Sequence, residues 1–578
     1  GVIGHDVQSD EPLMAAGLDS LGATEIAHIL NERYGFEVSS TFVIDYPSID
    51  MMVGSIVETM NIDAEMEVSH SVKEVQTTRF FDDVDFIQAL CAFGEFRDIR
   101  EAESVGTVPF ERWDHSHLDS LHDNLSDVPV RFAAYLHGVG NFDPSAFRMF
   151  RPEAMLMDPQ QRLLLEETLS LKQQTSFERD GVGCYIACCS LDYTRMPSVQ
   201  SIPIGTYSFT SAALSVVSGR TSFCFGLRGP SLTVDVACAS SLVTTHLGLR
   251  YTRENKRNSA VCGGAMISFV PTSTLSLQNA GFLSDDGRCK SFDAAADGYG
   301  RGEACRLAYI SNVEGEESST RNIVLSSSAV NHSGFSSSLT APNGPAQEDV
   351  IQQSISMSNS ELSAIHMLQT HCIGTALGDP IELKACFTSV KSLHSEIGQI
   401  SNVAVSSRKG ATGHQEAAAG IMLLHNAVKS LQSNTVPGIN NLRGVNPYIA
   451  DQISGIPSVS LALPRTRQML AYQERGGNVA CVNSFAAQGT NSNILMKCYG
   501  DSNIRKHSPM FWNKENVWLP LVCPKKIKQV LFTSSDPSLK YSKAVFDIPL
   551  NSVVSSRAAE MCVTQRCILP SGVILDAI

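Results

Sequence analysis

Apolar positions along the chain recur with two different periods. From Leu21 to Tyr34 the residues Ile26, Ile29, Leu30 and Tyr34 return at helical spacing, and Asp19-Ser20 before them and Gly35 after them are start and stop signals. Ser20 would by itself be an N-cap. From Ser231 to Ala237 the chain is β-rich and mostly apolar, as a buried strand would be. Beyond Cys238, Leu242, His246 and Leu249 return to helical spacing, so this cysteine stands where a strand gives way to a helix. Strand and helix signals alternate through the long middle of the chain, which predicts an α/β fold. The polar stretch NIDAEMEVSHSVKEV at 61–75 carries little pattern and reads as a linker. No apolar run approaches the ~18 residues of a membrane helix.

Charge divides the chain further. Residues 1–62 hold ten acidic residues and one basic residue, Arg33, so −9 of the net −15 lies there. Residues 499–578 hold ten basic and six acidic residues, +4, which leaves −10 for the middle. The expected organisation is a small acidic helical domain at 1–62, a linker at 63–79, a large α/β domain at 80–498 and a basic tail at 499–578. The overall negative charge argues against a nucleic-acid binder. The sixteen cysteines show neither a disulfide framework nor a zinc pattern, and most are expected to be small core residues in a reducing compartment. The sequence begins with Gly1, not Met, so a targeting segment is open and a cytoplasmic location is the expectation.

Three segments carry candidate chemistry. VDVACASSL, residues 234–242, has the strand–Cys–helix order of a nucleophile elbow, and a helix N-terminus is expected to favour the Cys238 thiolate. THCIGTALGDPIE at 370–382 contributes His371, and KGATGHQEAAAG at 409–420 contributes Lys409 and His414. These resemble the three active-site motifs of the β-ketoacyl synthase family. Similarity extends to MDPQQRLLLE at 157–166, DDGRCKSFDAAADGYGRGEA at 285–304, LTAPNG at 339–344 and NSF at 483–485 leading into GTN at 489–491. The segment GLDSLGATEIAHIL at 17–30 resembles an acyl carrier protein of the polyketide or fatty-acid synthase type.

The resemblance implies a thiolase-like five-layer αβαβα fold, preceded by a partial all-α carrier bundle. It implies an acyltransferase that takes an acyl group onto Cys238 and condenses it, with loss of CO2, with a malonyl-type extender on a carrier protein. His371 and His414 would be the other catalytic groups, and Lys409 an electrostatic support near the second histidine. The N–H groups of Cys238 and Ala487 would form the oxyanion hole, Thr375 would bind the pantetheine arm, and Ser20 would carry 4'-phosphopantetheine. No metal is implied. Implied partners are acyl carrier domains, a phosphopantetheinyl transferase, a second copy in a homodimer and a separate acyltransferase, since no G-H-S-x-G motif occurs here.

Several positions depart from the family pattern. The usual opening strand is absent, with SVKEVQTTRFFDDVDFIQAL at 71–90 in its place. Cys372-Ile373 stands for Gly-Thr, and Ala486-Ala487-Gln488 for Gly-Phe-Gly; if those glycines need φ > 0, Ala486 and Gln488 carry strain. Only 19 residues precede Ser20, so the carrier domain is expected to be truncated. These changes motivate a second expectation, a non-elongating domain that holds or relays an acyl chain. The tail's CILPSG at 567–572 resembles the start of a dehydratase-like hot-dog domain with Met561 where its histidine would stand; a plain linker is the alternative.

Overall fold

The structure is a computed structural model. It describes scattered residues of 9–38, then 42–66, 89–93, 105–109, 112, 132–175, 177–196, 204–312, 323–358, 364–397, 401–453, 459–470, 477–498, 514–517 and a few residues elsewhere. Its core is one eleven-stranded sheet. In chain order the strands are β1 (Ala89–Phe93), β2 (Val182–Ala187), β3 (Ser231–Val234), β4 (Ser259–Met266), β5 (Ala304–Asn312), β6 (Ile323–His332), β7 (Met367–Gln369), β8 (Ser401–Ser406), β9 (Val459–Ala462), β10 (Asn478–Phe485) and β11 (Thr490–Cys498). Their spatial order is β9-β8-β7-β10-β11-β6-β1-β5-β4-β2-β3. Each end of the sheet is parallel and each half turns antiparallel towards the middle, where β1 meets both β5 and β6. A central strand is present after all, at Ala89–Phe93, overlapping only the last two residues of the 71–90 segment that stands in place of the usual opening strand.

The helices used below are α1 (Ile49–Met66), α2 (Pro159–Thr175), α3 (Leu214–Phe225), α4 (Ser240–Glu254), α5 (Gly344–Ser356), α6 (Gly378–Ile397) and α7 (Ala419–Ser433). Helices α2 and α3 pack on the first half of the sheet, α5 and α6 lie together against the second, and α4 and α7 cross between the halves. That is the five-layer αβαβα arrangement. The central helices touch closely: the Ile421 N–H donates to Ser241 Oγ at 2.9 Å. Buried Leu242, Leu249, Ile421, Leu424 and Val428 join strand residues Ala308, Ile310, Val482 and Ile494 in one cluster.

Strand β3 is not the buried strand its apolar residues predict. It is the edge of the sheet, and Leu232 is 47% exposed. Nine of the described cysteines are buried and none of the described cysteines is disulfide-bonded, as expected of small core residues. In the N-terminal domain Leu13, Leu18, Ala23, Ala27, Phe42, Val43 and Met52 form a separate core with Ile26 and Leu30 against it. The predicted helix is seen at Ala23, Ile26, Ala27 and Ile29–Asn31, while Tyr34 and Gly35 lie outside the described residues. Helix α1 runs to Met66, past the expected domain edge at 62.

Candidate active site

Cys238 lies within a 3-10 turn, Ala237–Ala239, between β3 and α4. Ala237 has φ 51°, a conformation that costs a residue with a Cβ about 1–3 kcal/mol. Polar contacts hold it there. Asp235 Oδ1 accepts from the Ala237 N–H at 3.0 Å, and the Ser240 hydroxyl donates to Ala237 O at 2.6 Å while accepting from the Val236 N–H at 2.8 Å. Ser484 Oγ ties the Cys238 carbonyl to β10 at 2.8 Å.

His414 arrives from the other half, just before α7. Its Nε2 stands 3.0 Å from Cys238 Sγ. Its backbone is clamped by the loop before β5: the His414 N–H donates to Gly300 O at 2.7 Å, and the Gly302 N–H to His414 O at 2.9 Å. A Cβ on Gly413 (φ 69°) would lie 2.4 Å from Arg301 O, so only glycine allows this approach. Tyr299 meets the His414 ring edge-on at 5.0 Å. Among the described residues His414 Nδ1 has no hydrogen-bond partner, so packing and these backbone bonds orient the ring.

His371 follows β7, and its ring lies 5.2 Å from that of His414, at 89° to it. Glu382 on α6 accepts from the backbone N–H groups of His371 and Cys372, each at 2.7 Å, and from the Cys372 thiol at 3.1 Å. Lys409, expected beside the second histidine, instead contacts the first: its ammonium donates to the His371 carbonyl and lies 3.4 Å from His371 Nδ1. The Cys238 sulfur and ring nitrogens of the two histidines all lie within 4.8 Å of one another. These are also the only described residues that could together hold a metal ion.

Burial governs the charges. It pushes the Cys238 thiol up to about 12, with Glu416 adding to the rise, while Lys409 and the N–H groups of Ala487 and Cys238 oppose it. Desolvation is the largest of these influences on the thiol. Burial likewise holds His371 and His414 well below the ordinary histidine range, helped by Lys409 and, for His414, by Arg301. The resting group is a neutral thiol beside two neutral imidazoles. The two N–H groups expected to form the oxyanion hole, those of Cys238 and Ala487, both reach the sulfur.

Strain at the altered loop does not occur. Neither Ala486 nor Gln488 has positive φ; only Gly489 does, at 100°. Ile373 packs against Leu283, Cys289 and Tyr299, and Thr375 is half-buried in the loop that follows. Ser20 lies outside the described residues. The sequence reading did not single out Arg301 and Glu416, which form a two-point ion pair at 2.8 and 3.2 Å directly behind His414. Both stand inside motifs already quoted, GYGRGEA and GHQEA, so spacing carried the signal.

Residues 97–311 match the family model "Beta-ketoacyl synthase, N-terminal domain", and residues 323–443 match its C-terminal domain. The chain belongs to the β-ketoacyl synthase family. Residues 1–56 match a phosphopantetheine attachment site, so the ketosynthase follows a carrier domain whose prosthetic group is covalent phosphopantetheine. The chain is 31% identical over 533 residues to polyketide synthase GfsA of Streptomyces halstedii, covering 86% of this chain and 7% of that protein. It is 29% identical over 507 residues to pikromycin polyketide synthase component PikAII of Streptomyces venezuelae, covering 83% and 13%. It thus spans a small part of these modular proteins. An oxazolomycin ketosynthase domain, OzmH KS7 of Streptomyces albus JA3453, superimposes with a TM-score of 0.59 at 26% identity over 73% of this chain and 75% of that one. Ketosynthase domains of this kind are condensing acyltransferases. Among the described residues no helix is long and apolar enough to cross a membrane.

Proposed function

We propose that this ketosynthase elongates a polyketide chain. The observation that carries the reading is His414 Nε2 at 3.0 Å from Cys238 Sγ with His371 beside it. In the first half-reaction the sulfur attacks an acyl thioester. The thiol proton passes through His414 Nε2 to the departing thiolate, so a thioester forms on Cys238 as another breaks. The N–H groups of Cys238 and Ala487 stabilise the oxyanion. In the second, a malonyl-type thioester loses CO2, and its carbonyl oxygen gains negative charge as the enolate forms. Neutral His371 offers an N–H to that oxygen, and His414 offers one from Nε2 after its ring has changed tautomer, the proton moving from Nδ1 to Nε2 once the thiol step is complete. The enolate carbon then bonds to the acyl carbon, the Cys238 C–S bond breaks, and the thiolate takes up from water the one proton that the decarboxylative condensation consumes. Lys409 and Glu382 hold the His371 backbone from either side.

Phosphopantetheine, attached at Ser20 by this reading, supplies a thiol on a long arm. Thr375 is the residue proposed to bind that arm at the ketosynthase. The extender comes from a separate acyltransferase, a phosphopantetheinyl transferase loads Ser20, and the reaction takes place in the cytoplasm. The exposed edge of β3 supports a homodimer.

Intact-protein mass spectrometry tests the reading. An acyl thioester should add one acyl mass to the protein, and Cys238→Ala should abolish the addition. Malonyl-carrier should then convert the adduct to a chain-extended product. Acylation without any extended product would favour the holding or relay alternative and sink elongation. An unchanged acylation rate in Cys238→Ala would remove the nucleophile.

A further inference from the structure

We infer that the carrier domain docks on its own ketosynthase through Asp45, at the paired N-terminal ends of α5 and α6. This rests on the match of residues 1–56 to a carrier domain. Asp45 ends the short helix Phe42–Asp45, whose Phe42 and Val43 belong to the carrier core. Carboxylates are seldom buried without a partner, yet Asp45 is only 6% exposed. Its Oδ2 lies 3.6 Å from Lys384 Nζ on α6. A Cβ on Gly344 would stand 2.9 Å from Asp45 Oδ1 and 3.4 Å from Ile381 Cγ2. The carboxylate is therefore wedged between the first residue of α5 and the second turn of α6, and the missing side chain at Gly344 is what makes room.

Two sources of positive potential meet there. One is the Lys384 ammonium. The other is the start of α5, where the helix dipole favours an anion; the first-turn donors are largely used, since position 345 is proline, the Ala346 N–H donates to Asn343 Oδ1 at 3.1 Å and the Gln347 N–H to Asn343 O at 3.1 Å. Glu348 is the opposing group. Burial raises its pKa, Lys384 and a hydrogen bond from Gln352 lower it, and Asp45 adds to the rise, so Lys384 faces two carboxylates. Removing Lys384 would take away the cation that faces both Asp45 and Glu348. A carrier with net charge −9 over residues 1–62 suits such a surface, and tethering to the same chain raises its local concentration.

The location has a further consequence. Lys384 lies two residues beyond Glu382, about 200° round the helix. Glu382 faces inward to the backbone of His371 and Cys372, while Lys384 faces the carrier. One helix thus carries the support of the catalytic histidine on one side and the dock on the other.

Zero-length carbodiimide coupling of the full chain, followed by peptide mapping, tests the dock. Asp45 and Lys384 should be joined as an amide with loss of one water. The link should disappear in Lys384→Glu and weaken in about 1 M salt, where screening acts within about 3 Å. Because a buried carboxyl can resist the reagent, the second readout is tumbling of the carrier by NMR relaxation. Carrier resonances should tumble with the whole chain in the wild type and faster in Lys384→Glu. The exchange Asp45→Lys with Lys384→Asp should restore slow tumbling. Independent tumbling in the wild type, or no change in Lys384→Glu, would overturn the proposal. Condensation with a free malonyl-carrier and a small acyl thioester separates the two readings. Lys384→Glu should leave it within about twofold of wild type, while absent condensation in a docked wild type would count against the elongation reading alone.

Discussion

The sulfur of Cys238 is pulled in opposite directions. Burial and Glu416 favour the thiol, while Lys409 and the N–H groups of Ala487 and Cys238 favour the thiolate, and burial prevails at about 12 against an ordinary value near 9. With the folded value raised, the thiolate fraction stays small at neutral pH and grows about tenfold per pH unit. Alkylation of Cys238 by iodoacetamide, followed by peptide mass spectrometry, should therefore rise log-linearly from pH 7 to pH 10 without levelling. A plateau already reached at pH 7 would mean that the N–H groups and the helix end outweigh burial. Low thiolate content also fits a mechanism in which deprotonation accompanies attack, since the receiving nitrogen is 3.0 Å away and neutral.

The loop before β5 and the turn before α7 act as one element, and Arg301 joins them. It is 5% exposed and meets Glu416 at two points, with further bonds to Ser273 Oγ at 3.1 Å and Thr274 Oγ1 at 2.6 Å. Glu416 itself has φ 41°, the same unfavourable region as Ala237 before α4, so each central helix starts from a strained turn held by polar contacts. Arg301→Met leaves the Glu416 carboxylate largely buried and unpaired, which should cost about 3–5 kcal/mol. Arg301→Met with Glu416→Leu should recover much of that loss in urea unfolding. A single variant within about 0.5 kcal/mol of wild type would show that the pair does not brace the loop. This pairing illustrates what the sequence makes legible. Cys238, His371, His414 and Lys409 stand in short motifs whose spacing is fixed by the turns that present them, so they could be read directly. The partner of Lys409 could not, because a motif records which residues are near in sequence and not which histidine a long side chain reaches. The opening strand was missed because Ala89–Phe93 is five residues long and follows a polar stretch with no period. The strain expected at Ala486 and Gln488 failed because only Gly489 in that turn needs positive φ.

At the scale of the whole molecule, the misread strand carries the most information. Apolar composition in Ser231–Val234 looks the same whether a strand is covered by its own chain or awaits another. Among the described residues it is the edge of the sheet, with no strand paired along its outer side. Around that half of the chain Ile204 is 95% exposed, Phe209 73%, Phe223 86% and Leu232 47%. Of these only Leu232 stands on the edge strand, with Phe223 on the neighbouring α3; the homodimer proposed above would cover both by pairing the strand with its own copy across a two-fold axis. Leu232→Lys combined with Phe223→Glu should convert a dimer to a monomer in light scattering at micromolar concentration. The interior of the fold should remain intact, since neither residue is buried. A wild-type monomer, or a double variant that stays dimeric, would refute the assignment. The consequence reaches the active site, because β3 ends at Val234 and Cys238 follows four residues later through Asp235, whose carboxylate holds the Ala237 N–H. A frayed edge releases that end of the elbow, and misplacement of a nucleophile by a fraction of an ångström is expensive in rate. The monomeric variant should therefore acylate Cys238 at least about tenfold more slowly than wild type while keeping its circular dichroism.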